Sequence, residues 1–402
     1  MPRAGPKVQE YSAEVKLAAV PLSRQRGVQV QDRPWDHGRE RLDTPRTASG
    51  AGHTRDAITS SPSFRSGVAS GSPAAYARSV KRQLEYAMRA TLVAFGVVAL
   101  GGRLGAQTPA WEPTPGHAQL PIWPTSVPHR HAPAGSETMT TRPNDHLVAD
   151  RPWTYIQNVS QPTLTVYSPP EDNTGAAVIV FPGGGYQILA IDLEGTEVCD
   201  WLTARGITCV LLKYRVPNVG PTWDQQCGCD RDTKSSAPLE DAVRTIRLVR
   251  YHAVEWHVDP HKIGVLGFSA GGHLVAALST NYDRRLYASV DTADVVSARP
   301  DFAVLVYPGH LYDPARRALN PQIRVKHETP PTFILQAQND SVDSVRNSLV
   351  YYEALRDVGV PAELHLYAEG GHAFGLRRTK LGITAWPGLV EDWLATLGML
   401  AR

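Results

Sequence analysis

The stretch Lys262-Ile263-Gly264-Val265-Leu266-Gly267-Phe268-Ser269-Ala270-Gly271-Gly272-His273-Leu274 decides the fold. Its first part, residues 263–268, is a short apolar run that reads as a buried strand, and residues 270–278 carry a helix pattern. A single residue, Ser269, separates them, held in Gly267-x-Ser269-x-Gly271. A strand that turns straight into a helix leaves no room for side chains beside the turning residue, so the positions two before and two after it must be small. The serine hydroxyl is then raised above the sheet edge, with the Ala270 N–H aimed at an incoming carbonyl oxygen. In a chain with 33 glycines the five-residue pattern arises easily by chance. The strand before it and the helix after it are what favour a nucleophile.

The same alternation of elements extends on both sides. Residues 164–167 read as an edge strand ended by Pro169-Pro170, and residues 176–181 and 207–214 as continuous apolar strands with a helix pattern at 195–205 between them. A long helix is expected at 238–257, with Ser236 as its cap and Pro238 in its first turn. Further strands are expected at 302–307, 332–336 and 362–367, with helices at 344–358 and 389–397. Strands that are apolar throughout, alternating with amphipathic helices, specify an α/β fold: a mostly parallel, doubly wound sheet of about eight strands covered on both faces. Ligands on such sheets bind at the carboxyl ends of the strands. The segment between the strands at 302–307 and 332–336 is too short for a large lid domain.

A serine hydroxyl needs a base to take its proton. Gly370-Gly371-His372-Ala373-Phe374, just past the last strand, offers one, and Asn339-Asp340, after the strand at 332–336, offers the acid that fixes the histidine tautomer. The chain order Ser269, Asp340, His372 is that of α/β-hydrolases. Asp343 is the rival acid; it lies nearer the following helix, where an aspartate commonly caps the first turn, so Asp340 is preferred. Phe181-Pro182-Gly183-Gly184-Gly185-Tyr186 supplies a glycine turn directly after a strand. No G-K-[ST] or G-x-G-x-x-G completes it as a phosphate cradle. With Ser269 present it reads as an oxyanion hole, the donors being the N–H groups of Gly184, Gly185 and Ala270. Tyr186, Trp223, His310 and Tyr312 follow strands or lie in loops and are candidates to line a pocket, against ordinary packing as the alternative. His273, at the start of a helix, is expected to order the elbow, and Glu194 to favour a helix N-terminus by its charge.

Taken together, Pro182-Gly-Gly-Gly-Tyr186, Glu194-Gly-Thr-Glu-Val198, Leu212-Lys-Tyr-Arg215, Gly267-Phe-Ser-Ala-Gly-Gly-His273, Asn339-Asp340 and Gly370-Gly-His-Ala-Phe-Gly-Leu-Arg377 resemble the bacterial acetyl-xylan-esterase-like α/β-hydrolases. These are relatives of the hormone-sensitive-lipase-like and prolyl-oligopeptidase-like enzymes. The resemblance covers about residues 120–400. It implies the α/β-hydrolase fold, Ser269, Asp340 and His372 as a triad, and a serine esterase that deacetylates xylan-type carbohydrate or similar short-chain esters. Two departures stand out: Ala373 replaces the glycine usual after the histidine, and the loop around Cys227 and Cys229 looks like an insertion. Glycoside cleavage generally requires two carboxylates flanking the bond, and this constellation is one for acyl transfer. Acyl transfer by serine requires no metal or organic cofactor, and none is expected. The alternatives are a prolyl-oligopeptidase-like serine peptidase, whose usual N-terminal propeller has no repeats to match it in residues 107–150, and a non-catalytic carbohydrate-binding protein on a hydrolase fold.

The first part of the chain differs in character. Residues 1–87 hold 14 Lys and Arg against 8 Asp and Glu, are rich in Pro, Ser and Gly, and show no sustained periodicity. They are expected to be disordered. Residues 88–106 have a basic start, an uncharged apolar core too short for a stable membrane span and a small residue at Ala106, the parts of a secretory signal peptide. The expectation is a biological start at Met88, a translated upstream segment at 1–87, and a secreted or periplasmic product. Residues 107–150 read as a linker and N-terminal arm, in which His129 and His131 lack partners in register for a metal, and residues 151–402 as the catalytic domain. The net charge of +2 argues neither for nor against a nucleic-acid partner; none is expected of an ester hydrolase. Cys199, Cys209, Cys227 and Cys229 allow three pairings, among which sequence cannot choose, and no second Cys or His pair gives the C-x-C zinc spacing.

Overall fold

The structure, a computed structural model, describes residues 111–129, 135–142, 147–217, 223–224, 229–230 and 236–400. The expectations for residues 1–87 and 88–106, and for His131 and Cys227, lie outside the described residues.

Eight strands form the main sheet: β1 (Gln119–Pro121), β2 (Thr163–Tyr167), β3 (Ala177–Phe181), β4 (Thr208–Lys213), β5 (Ile263–Phe268), β6 (Phe302–Val306), β7 (Thr332–Ala337) and β8 (Ala362–Tyr367). Their order is β1-β2-β4-β3-β5-β6-β7-β8. Neighbours from β4 through β8 run parallel, whereas β2 is antiparallel to β4 and β1 to β2. Every residue of β3, β4, β5, β6 and β7 is buried. Since alternate side chains point to opposite faces, both faces of this central portion are covered. Five helices provide most of the cover: α1 (Glu197–Thr203), α2 (Ala237–Tyr251), α3 (Ala270–Asn281), α4 (Arg346–Asp357) and α5 (Trp386–Thr396).

Three features depart from the sequence reading. Residues 163–167 are not an edge strand, because β1 pairs outside them, with Leu120 opposite Leu164. Three residues are too few to show an alternation, so β1 left no periodic signal. The presumed arm is thus woven into the domain. Its Trp123 is buried and donates from Nε1 to Asp241 Oδ1 at 2.9 Å, Arg244 Nε donates to the Ile122 carbonyl at 2.9 Å, and Lys213 pairs with Glu137 at 2.8 Å. Second, a small antiparallel sheet of Thr138–Arg142, Trp153–Gln157 and Ile188–Leu189 was not anticipated. Third, α2 stops at Tyr251, short of residue 257.

Ser236 does precede α2, with Pro238 in the first turn, but its hydroxyl bonds Glu240 instead of capping a backbone N–H. Cys199 on α1 and Cys209 on β4 form a disulfide, both residues fully buried. Among the described residues no helix is long and apolar enough to cross a membrane.

Candidate active site

The order of the sheet reverses around β3, which lies between β4 and β5, and the carboxyl ends of five parallel strands converge there. The Gly183 turn follows β3, Ser269 follows β5, Gly309 follows β6, Asp340 follows β7 and His372 follows β8. Register sets the first two side by side, because Gly267 of β5 stands opposite Phe181 of β3.

Ser269 takes φ +52° and ψ −119°, a conformation unusual for a residue with a side chain. Its surroundings hold it there. The Ser269 N–H donates to Val306 O at 3.1 Å, and its carbonyl accepts from His273 N at 3.0 Å and Gly309 N at 3.2 Å. The small neighbours are sterically required. A Cβ at Gly267 would meet the Gly271 carbonyl oxygen at 2.2 Å, and one at Gly271 would meet Phe181 O at 2.0 Å.

From Ser269 a chain of bonds leads outward. Its Oγ lies 3.0 Å from His372 Nε2, and His372 Nδ1 lies 2.7 Å from Asp340 Oδ2. Asp340 is itself fixed, its Oδ1 accepting from the N–H groups of Val342 and Asp343, each at 2.9 Å. Asn339 holds the histidine loop, its Oδ1 accepting from Gly370 N at 3.0 Å and Gly371 N at 2.9 Å. Ala373 stands at φ +56°, in the region where glycine is at ease, which accounts for the glycine usual at that place. Burial pushes the His372 pKa down, but the Asp340 hydrogen bond and the charges of Asp343, Asp340 and Glu194 outweigh it, and the net shift is upward.

A side chain on Gly183 would meet the Ser269 Cβ at 3.0 Å, and the residues after it, Gly184 and Gly185, adopt φ +128° and +60°. A side chain at Gly184 would run into the Ile188 carbonyl oxygen at 2.3 Å. The preceding Gly183 N–H is already engaged, donating to Glu194 Oε2 at 2.7 Å, so it is not available to a substrate.

Two acidic residues do more than the sequence suggested. Glu194 does stand in the first turn of a helical segment, the π-helix Asp192–Thr196 that leads into α1, but not as a surface charge. It is 2 % exposed, and its second oxygen accepts from the Tyr307 hydroxyl at 2.9 Å. Tyr307 in turn accepts from Gly375 N at 3.1 Å and packs its ring 4.9 Å from that of His372. Glu194 therefore ties the glycine turn to the histidine loop. Burial raises its pKa against the pull of Tyr307, His372 and Gly183. Asp343 is not a helix cap: α4 starts at Arg346 after Val345 with no side-chain cap. Its Oδ2 instead accepts from Ser269 Oγ at 3.1 Å, competing with His372 Nε2 for the single hydroxyl hydrogen, and lies 3.6 Å from that nitrogen. Spacing from the helix favoured a cap, and no local pattern separates the two roles.

The pocket candidates divide. Tyr186 and His310 join His273 in a cluster of rings with centroids 5.6 to 5.8 Å apart. These three form one wall of a cavity of about 430 Å³ whose other lining includes Asn281, Arg284 and Arg324. His273 Nδ1 is 2.7 Å from the Tyr186 hydroxyl, and burial, aided by the charge of His310, pushes its pKa down to about 3, so it stays neutral. Tyr312 lies elsewhere, on a short hairpin, accepting from Arg346 Nη1 at 3.1 Å. The backbone of Trp223 pairs with Asp230; its side chain is outside the described residues. His129 is 2.6 Å from Glu240.

The arginines of the sequence motifs are structural. Arg215 donates to Asp241 and Glu240 (Nη2 at 2.8 and 3.2 Å). Arg377 donates to Glu197 at 2.7 Å and to the carbonyls of Arg151 and Pro152 at 2.9 and 2.8 Å.

The model of the prolyl oligopeptidase family matches residues 196–396, half of the chain and all the strand ends from β5 onward. The chain belongs to the prolyl oligopeptidase family. Within that α/β-hydrolase family its likeness is to acetyl-xylan esterases. An acetylxylan esterase of Xylanibacter ruminicola is 31% identical over 230 residues, 51% of this chain and 42% of that protein. Endo-1,4-beta-xylanase B of Butyrivibrio fibrisolvens is 29% identical over 245 residues, 56% of this chain and 36% of that protein. The matched region therefore spans less than half the length of either relative. The crystal structure of an acetyl ester-xyloside bifunctional hydrolase from Caldicellulosiruptor lactoaceticus is 32% identical, with a TM-score of 0.53, covering 71% of this chain and 97% of that one.

Proposed function

We propose that this family member is a serine carboxylic-ester hydrolase that removes acetyl and similar short acyl groups from carbohydrate of the xylan type through an acyl-enzyme. The observation that carries the reading is the bonded chain Asp340–His372–Ser269, ending at a hydroxyl on a strained turn beside the glycine turn that begins at Gly183. In this reading Ser269 Oγ attacks the ester carbonyl while His372 Nε2 takes its proton, and Asp340 holds the resulting imidazolium. The carbonyl oxygen gathers negative charge between the N–H groups of Gly184, Gly185 and Ala270. His372 then returns the proton to the departing alkoxide, and water releases the acid. The cavity beside Tyr186 and His310, whose mixed lining includes Asn281, Arg284 and Arg324, offers polar groups to the alcohol part of a hydroxylated substrate. The names of the relatives support an ester substrate.

The test is hydrolysis of 4-nitrophenyl acetate and of acetylated xylan. Ser269→Ala should abolish both, and binding without turnover by the unaltered protein would reject the proposal. Faster cleavage of peptide anilides than of esters would instead favour a peptidase, the activity of the family's namesake. We further propose an exported product. The buried Cys199–Cys209 disulfide is at home in an oxidising compartment, and the mass of the mature N-terminus from native culture tests cleavage after Ala106.

A further inference from the structure

Asp343 has no place in the bonded chain from Asp340 to Ser269, yet it touches the reacting pair. Its Oδ2 accepts from Ser269 Oγ at 3.1 Å and stands 3.6 Å from His372 Nε2. The residue is 6 % exposed, and its carboxylate lies so close over Gly309 that a Cβ there would meet Oδ1 at 2.5 Å. Main-chain bonds fix its position whatever the side chain: Asp343 N donates to Asp340 Oδ1 at 2.9 Å, and Asp343 O accepts from Gln336 Nε2 at 2.8 Å. Among the described residues the Ser269 hydroxyl is the one hydrogen-bond donor to the carboxylate.

Acylation removes that donor, because an esterified Oγ carries no hydrogen. A desolvated carboxylate then requires a new partner. Whatever enters beside the acyl group meets two acceptors close together, the neutral Nε2 of His372 and Oδ2 of Asp343. Water has two hydrogens and can donate to both while keeping a lone pair for the acyl carbon. An alcohol has one and leaves Asp343 unpaired.

We propose that Asp343 selects water for the deacylation step, accepting one hydrogen of the attacking water while His372 Nε2 accepts the other. The balance is simple. The water oxygen bonds the acyl carbon as its proton passes to Nε2, the tetrahedral intermediate expels Ser269 Oγ, and Nε2 returns the proton to that oxygen. Asp343 keeps its protonation throughout. The consequence is a preference for hydrolysis over transfer of the acyl group to alcohols.

The inference rests on the esterase reading, and its test follows the fate of the acyl group. With 4-nitrophenyl acetate, the stopped-flow burst reports acylation and the steady state reports deacylation; with added methanol, the ratio of methyl acetate to acetate reports the partition. Asp343→Val, similar in volume and lacking an acceptor, should slow deacylation on the order of 10- to 100-fold relative to acylation, the rate equivalent of one hydrogen bond to a charged group. A burst should appear and the methanol partition should rise at least about fivefold. Asp343→Asn keeps an acceptor oxygen and should fall between. Equal losses in both steps with an unchanged partition would overturn the inference. The two readings fail separately: no turnover by the unaltered protein rejects the esterase, whereas turnover with a partition indifferent to residue 343 rejects only the role of Asp343.

Discussion

Glu194→Ala tests whether the glycine turn is held from below. The substitution removes the acceptor of two donors, Gly183 N–H at 2.7 Å and Tyr307 O–H at 2.9 Å. Bulk water reaches neither group, since Tyr307 is 0 % exposed and Glu194 itself 2 %. Each buried donor left unpaired costs about 1–3 kcal/mol, so the variant should lose about 2–6 kcal/mol of stability. The kinetic loss is separable. Gly183 immediately precedes the two glycines proposed as oxyanion donors, and a turn freed at that residue no longer holds them in position. Loss of one such donor lowers kcat on the order of 100-fold or more, and KM for a small ester should change little. Glu194→Gln retains one oxygen for Gly183 and should fall between. Thermal denaturation and 4-nitrophenyl acetate kinetics measure both effects. A Glu194→Ala protein with unchanged Tm and kcat within about threefold of the parent would refute the bracing role.

The other expectations concern pH, sterics and buried charge. Because the His372 pKa is raised above the ordinary 6.5, the base is still protonated where a free imidazole would be neutral, so kcat/KM should fall with a midpoint above 6.5. By linkage, the stability it contributes is complete below pH 6.5 and is lost as pH rises through the folded pKa. Activity and this part of stability therefore run oppositely there, and a kcat/KM midpoint below 6.5 would contradict the assignment. Gly271→Ala should fold poorly or lose activity, since its Cβ meets Phe181 O at 2.0 Å, whereas Gly388→Ala in α5, with open space around it, should gain about 0.5–1 kcal/mol; equal denaturation midpoints for the two would undo the steric argument. Arg377→Met removes a donor from Glu197, which keeps Arg151 at 3.2 Å, and leaves the Pro152 carbonyl without its donor; it should cost about 1–3 kcal/mol, measurable as a shifted urea midpoint; a shift worth under about 0.5 kcal/mol would make the cluster incidental.

The sequence exposed the parts of the fold that repeat or punctuate. Fully apolar strands announced β3 to β7, and glycines at 267 and 271 announced a turn whose neighbours leave no room for a methyl group. What stayed hidden depends on tertiary partners. Gln119–Pro121 becomes a strand only because β2 offers it an edge. Asp343 and Glu194 are near helix starts in sequence, where carboxylates are common, and only the approach of Gly309, Tyr307 and Ser269 gives them different work. Pocket residues fared worst, because Tyr186 and Tyr312 both follow strands and only one faces the cavity.

The clasp between early and late residues also bears on how the molecule is made. Ile122 and Trp123 wait for Arg244 and Asp241, and the carbonyls of Arg151 and Pro152 for Arg377. A ribosome delivers these partners more than a hundred residues after the segments they secure, so the leading part of the domain has to remain unsettled through most of translation. Non-local closure of this kind slows folding. A nascent chain halted before residue 377 should accordingly leave residues 147–157 open to protease, and their protection marks the moment at which the domain closes.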